Sequence, residues 1–543
     1  MKKINSKILI CFSALVTIFA ILLLGRFLFS ELMNKDAYSR KDSVTPESTL
    51  IYGRVADVIS LDPPNQWDGT SSSVINNIYE NLVQFKEGTA DIEPWLAESW
   101  EISKDMLEYT FKLRKNIYFH DKTQFNADSV VFNIERQLNR SHSYRLGSCE
   151  CFESNFSMLE SIKKIDDYTV CFKLKKPYTP FIELLAMAPM AIVSPAAVKN
   201  QKENFYKNPC GTGPFVFKTW IPNDSVVIER NDNYWNTPAK LKKIIFKTVP
   251  DNKLRLMQLY SGLINVMDGI SPEDVDAINR NPEVKLLTEP GLNIGYIAMN
   301  MEKPPFNKRE VRLAINHAIN KKAIINFYYQ QASIMAVNPM PPNILGYNNE
   351  IKDYDYDVAK ATEYLKLAGL ENGFTTKLFV LPITTMAFPE PEKVANAVIA
   401  NLKDIGIKVE KYSCDWVEYQ KKVANGEHEM VMYVWSADIP DPDNFLYLLL
   451  DKDNTVKGQA QNVSFYTNEI LHYTLMKAQS SLNRDERQLL YKKAQELIHE
   501  DVPWIPMTHA NQMLAHRKNV KNIKLSPVTF ECYKNVEITS DVN

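Results

Sequence analysis

Between residues 378 and 438 the apolar pattern changes period several times, and that succession restricts the fold more than any other stretch. Leu378–Leu381 is an apolar run too short for a helix and reads as a strand. Pro391–Asp404 has proline in its first turn and Gly406 just past its end, the start and stop signals of a helix. Ile407–Glu410 is a second strand, Trp416–Ala424 a short helix closed by Gly426, and Met430–Trp435 a third strand rich in Val, Tyr and Trp. The order β-α-β-α-β predicts parallel strands joined by right-handed crossovers. Met430–Trp435 is unbroken in its apolar character, so it is expected to be buried on both faces, as parallel strands are. In open parallel sheets ligands sit outside the carboxyl ends of the strands. Two loops would meet on that edge: Pro382–Phe388, and the segment Ser436, Ala437, Asp438 that Pro440 and Pro442 stiffen at its exit. An acid there, beside Trp435 and between apolar walls, is placed to hold one positive charge.

The rest of the chain narrows the class. At 543 residues it is too long for one core and predicts two to four domains. A formal charge of -2 points to no nucleic acid and no acidic partner. The basic cluster Lys240–Lys247 reads as the wet face of a strand.

The amino terminus has its own logic. Lys2, Lys3 and Lys7 precede Ile8–Leu24, which carries no charge, and Phe27–Phe29 can extend that run past Arg26. The basic flank places the amino terminus inside and the body outside. No small-x-small cleavage site follows, so residues 1–30 read as an uncleaved signal-anchor helix, with a cleaved signal peptide as the rival, and the polar residues 31–48 read as a linker. Export makes Cys149, Cys151, Cys171, Cys210, Cys414 and Cys532 competent for disulfides. Their spacing suggests no zinc site; Cys149-Glu-Cys151 leaves a metal or haem clip open, though one or two loop disulfides, or free thiols, fit better.

In the body, Leu50–Asp57 is a strand, followed by a loop with Trp67, Asp68 and Thr70 that could line a cleft. Thr70 and Ser71 could equally cap the next helix. Then come Pro94–Trp100, Tyr109–Lys115, Phe119–Asp121, Phe125–Phe132, Asn208–Phe215, Pro305–Ile324, Tyr354–Ala361, Trp416–Tyr419, Pro440–Phe445 and Pro503–Pro506. In this order they closely resemble the extracytoplasmic solute-binding proteins that feed dipeptide, oligopeptide and nickel ABC importers, from about residue 50 to the end.

That resemblance implies an α/β, two-lobe, periplasmic-binding-protein-like clamshell of type II with an extra domain. Lobe I would comprise 49–95 with 208–295 and 515–543, the extra domain 96–207, and lobe II 296–514. It implies that Asp438 holds a ligand's α-ammonium group, a charge-assisted bond of about 1.5–3 kcal/mol net. Trp435, Trp67 and Met386 are then candidate apolar walls, Thr384, Thr385 and Ser436 candidate polar contacts, and Thr70 and Trp416 further candidate lining residues. Gly211, Gly213 and Pro214 form a turn in which glycine permits positive φ, and the resemblance gives it a hinge role. His120 and His317 read as scaffold, Asp443 and Asn444 as helix caps. Dipeptide-binding members carry an arginine in the loop matching Pro382–Phe388, and here no cation stands there. Longer peptides, or a different amine-bearing solute, therefore fit better than a strict dipeptide; the alternative is the same fold binding a non-peptide solute such as a nickel chelate, opine or sugar.

The partners implied are an ABC permease with its ATPase subunits and, through the first helix, the membrane; a monomer is expected, without cofactor or metal. A peptide sensor or adhesin on the same fold would need no permease. An enzyme is the rival class, but no Gly-x-Ser-x-Gly elbow, His-Glu-x-x-His or phosphate-binding glycine loop occurs, and His428 begins His-Glu-Met-Val-Met without the second histidine.

Overall fold

Trp504–Arg517, a strand of 14 residues, runs through the middle of the molecule. The computed structural model describes residues 48–539 apart from 67, 150–151, 153–154, 330–331 and 527–530. The first half of this strand pairs antiparallel with Asn293–Met299, placing Gly295 opposite Thr508. Its second half pairs with Val266–Met267 and Val284–Pro290, placing Leu286 opposite Ala515. The sheet continues on one side through Met430–Ser436, Thr375–Phe379 and Lys408–Tyr412, and on the other through Thr49–Arg54, Lys243–Thr248, Ser225–Arg230 and Phe215–Ile221.

Two large apolar cores lie along this path. One gathers Ile297, Ile315, Val398, Met430 and Tyr491. The other gathers Leu50, Ile228 and Ile244 with Phe111 and Phe172. The last two belong to a separate four-stranded antiparallel sheet of Ala97–Ile102, Glu108–Leu113, Thr169–Leu174 and Leu159–Asp166, which thus shares a core with the first lobe. This is the α/β two-lobe clamshell. In Lys243–Thr248, Ile244 and Phe246 point inward while Lys243 meets Glu229 at 3.2 Å, as the wet-face reading expects.

The β-α-β-α-β unit forms as read. Thr375–Phe379 pairs in parallel with both Lys408–Tyr412 and Met430–Ser436. Helix Pro391–Asp404 has its proline at the start, and Gly406 takes a left-handed φ of 84° beyond its end. Asp415 caps helix Trp416–Ala424 by accepting from the N–H groups of Val417 and Glu418. The expectation of a purely parallel, doubly buried strand is corrected: the other neighbour of Met430–Ser436, Asn293–Met299, is antiparallel. Only Met430, Val431 and Met432 are fully buried, because the later residues emerge toward the loop edge.

The turn Gly211–Pro214 also needs correction. Neither glycine has positive φ. A Cβ at Gly211 would lie 2.3 Å from the Ile78 carbonyl oxygen, and one at Gly213 2.6 Å from it. Glycine is needed because the turn presses on the end of helix Gly69–Ile78, where Thr212 donates to Glu80 at 2.7 Å and His120 Nε2 lies 3.0 Å from the Gly213 carbonyl. The turn returns the chain from the four-stranded sheet to Phe215–Ile221, within the first lobe's core. His317 is scaffold too, with Nδ1 2.8 Å from the Asp355 carbonyl and its ring stacked on Tyr364.

Cys171, Cys210, Cys414 and Cys532 are free thiols, and Cys151 lies outside the described residues. The signal-anchor reading of residues 1–30 also falls outside them. Among the described residues no helix is long and apolar enough to cross a membrane.

Candidate functional site

The loop that leaves Met430–Ser436 is fixed by short bonds to its own lobe. The Ala437 N–H donates to the Leu292 carbonyl at 2.7 Å. The Asp438 N–H and the Trp435 indole N–H both donate to Asn444 Oδ1, each at 3.1 Å. Asn444 stands in the first turn of helix Asp443–Leu450, so a helix end sets the direction of the Asp438 side chain. The cap reading of Asp443 and Asn444 is therefore corrected: both lie inside the helix, Asn444 organises the loop, and Asp443 is buried against other side chains.

The Asp438 carboxyl accepts hydrogen bonds from the side chains of Asn155 and Asn444. Asn155 follows the Phe152 segment, whose aromatic ring belongs to the first lobe's core. Asp438 thus lies where the two lobes meet. Burial pushes its pKa up to about 6, and the two amide bonds offset only part of that. Both donors are neutral. A desolvated carboxyl held by amides alone gains most from an arriving cation, which restores the charge balance that burial removed.

Trp435 is half-buried against the second lobe's core, and Ser436 is exposed opposite Asn293. The loop Pro382–Phe388 emerges on the same edge, since its strand runs parallel to Met430–Ser436. It packs on the sheet itself: a Cβ at Gly295, whose partner in the sheet is Val434, would come 3.0 Å from Ala387. Thr385 is committed within this loop, its hydroxyl accepting from the Phe388 N–H at 3.0 Å. Thr384 is exposed, and Met386 projects with 58% of its surface open. Trp416 begins its helix and stacks on Tyr419, whose hydroxyl donates to the Met432 carbonyl at 2.6 Å, so it braces the strand from behind.

Across the molecule, Thr70 Oγ1 lies within bonding reach of the Asp57 carbonyl at 3.0 Å and Asp68 Oδ1 at 2.5 Å. The cap of that helix is Asp68, which accepts from the Ser71 N–H at 2.7 Å, not Thr70 or Ser71. Trp67 lies outside the described residues. The structure therefore gathers Asp438, Trp435 and Ser436 with the 382–388 loop on one edge and adds Asn155 and Asn444, which sequence reasoning missed as site residues. Asn444 precedes an apolar helix and looked like a cap; Asn155 carries no signal in the sequence. Elsewhere Asp451, Asp453 and His472 approach one another, with His472 Nδ1 3.0 Å from Asp451 Oδ1 in a local hydrogen-bonded pair.

Known proteins resemble the chain over most of its length. A sequence model of the bacterial extracellular solute-binding proteins, family 5, matches residues 91–457. The chain is 35% identical to heme-binding protein A of Haemophilus influenzae over 93% of its own length and 95% of that protein's. It is 34% identical to the dipeptide-binding protein of Escherichia coli over 90% of this chain and 94% of the other. Among solved structures, the periplasmic binding protein DppA of Helicobacter pylori, in complex with the peptide STSA, is 38% identical with a TM-score of 0.78, over 90% of this chain and 98% of that one. HbpA2 of Haemophilus parasuis has a TM-score of 0.86 at 33% identity, over 91% and 100%.

Proposed function

The chain belongs to the bacterial extracellular solute-binding proteins, family 5, and on that premise we propose that it captures peptides between its lobes, with Asp438 holding the amino-terminal ammonium. One observation carries the reading: a carboxyl at the meeting of the lobes is raised to about 6 by burial and, among the described residues, is held by neutral amides. A charged ammonium is the partner that such a group lacks. The Helicobacter pylori relative, in complex with the peptide STSA, supports a peptide as the bearer of that charge.

Peptides longer than two residues fit better than a strict dipeptide. The loop 382–388 offers hydroxyls and a thioether but no guanidinium, so it has no bidentate clamp for a nearby terminal carboxylate. Trp435 and Met386 supply apolar wall, and Ser436 and Thr384 polar contact. The lobes would follow the divisions 49–95 with 208–295 and 515–543, 96–207, and 296–514. The protein would act on the outer face of the cytoplasmic membrane, tethered by residues 1–30, and hand its cargo to an ABC permease with its ATPase subunits.

Calorimetry with a tetrapeptide, its dipeptide fragment and its N-acetylated form tests the reading. The tetrapeptide should bind more tightly than the dipeptide, and acetylation should weaken it by at least about thirtyfold, the low end of what unpairing a buried charge costs. Equal binding of the acetylated peptide would remove the ammonium role. An acetylation effect with dipeptide and tetrapeptide bound alike would remove only the preference for length.

A further inference from the structure

Ile439, the residue after Asp438, has its chain neighbours in one core and its own side chain in the other. Trp435 and Ala437 before it and Phe445 after it pack in the second lobe. Ile439 itself is 1% exposed and packs with the core shared by the first lobe and the four-stranded sheet. Polar bonds cross at the same place. Tyr178 donates its hydroxyl to Asp443 at 2.9 Å. The Thr179 N–H donates to the Gln479 carbonyl at 2.8 Å, and its hydroxyl lies 2.9 Å from the Ser481 carbonyl. Tyr178 and Thr179 come shortly after Thr169–Leu174, an inner strand of the four-stranded sheet, and Tyr178 packs against the core that this sheet shares with the first lobe. Gln479 in turn donates to Asp443 at 2.6 Å, which fixes the receiving side.

We propose that Ile439, rimmed by the Tyr178–Asp443 and Thr179–Gln479 bonds, is a clasp that holds the two lobes shut. An apolar plug surrounded by bonds that exclude water is how association sites concentrate their binding energy. Every group in the clasp belongs to the chain itself, so closure is stabilised by the protein's own contacts, and cargo adds to an equilibrium already biased that way. Opening must draw Ile439 out of the opposite core before anything leaves the cleft. The clasp therefore sets the rate of ligand release more than the rate of capture. This holds whatever the ligand's chemistry and does not rest on the ammonium role of Asp438.

The test compares full-length wild type, Ile439→Ala and Tyr178→Phe by small-angle scattering without ligand, and by stopped-flow dissociation of the tetrapeptide. Wild type should scatter as the compact form. Ile439→Ala should expand when empty and return to the wild-type profile when saturated, with release about tenfold faster and association within twofold. Tyr178→Phe keeps the ring and loses one crossing bond, so it should move both readouts in the same direction by a smaller step. The melting temperature of the saturated variants checks that each still folds. An expanded empty wild type would overturn the clasp, and so would two folded variants with unchanged scattering and release. The N-acetylated peptide alters no group of the protein, so its undiminished binding would retire the ammonium reading while the empty protein's scattering still tests the clasp.

Discussion

Asp438 is defined by what surrounds its carboxyl: two amide donors and a lobe on either side. Asp438→Asn should keep a cooperative melt and weaken an amine-bearing peptide by about 2–5 kcal/mol, the cost of removing one partner of a desolvated pair, read by calorimetry. The acidity follows with a definite sign. The folded pKa, about 6, lies above the ordinary value near 3.9, so the empty folded protein binds a proton more readily than the unfolded chain. That stabilisation is complete below pH about 4 and is lost as pH rises through about 6. Ammonium binding needs the ionised form and runs the other way. Affinity should fall below pH 6, approaching about tenfold per unit, with proton release on binding near pH 5.5; a flat profile from pH 5 to 7 would count against the role. The position of this acid was legible because a strand's end and two prolines announce it. Asn155 was not, because a bond across a gap between distant segments leaves no spacing to read.

At the scale of elements, local order was read well and long-range pairing was not. The strands and helices between residues 375 and 436 carry their own caps, prolines and glycines, so their succession fixes parallel neighbours. The antiparallel partner Asn293–Met299 lies far back in the chain, and nothing local names it. The same holds for the turn 211–214, where the Ile78 carbonyl sets the demand for glycine and φ does not. Gly213→Ala should therefore destabilise by about 1–3 kcal/mol in chemical denaturation, as overpacking does, since the obstructing atoms are backbone. Arg487 pairs with Asp441 at 2.6 Å with both side chains buried. Arg487→Met should cost about 3–5 kcal/mol by the same measurement, because Asp441 would be left as an unpaired buried charge.

Over the whole molecule the two-lobe form was legible only through resemblance, since no periodicity tells which segments share a core. The strip Trp504–Arg517 shows why: it completes the hydrogen bonding of both lobes at once, between Asn293–Met299 on one side and Val266–Met267 on the other. Removal of residues 1–30 should move the protein into the soluble fraction, and retention on membranes would place the tether elsewhere. A chain ending at residue 503 should lose cooperative melting in both halves, because each sheet then presents a raw edge where its centre belongs. The keystone of this arch comes after every strand it joins, so neither lobe can complete its sheet until residues 504–517 are in place.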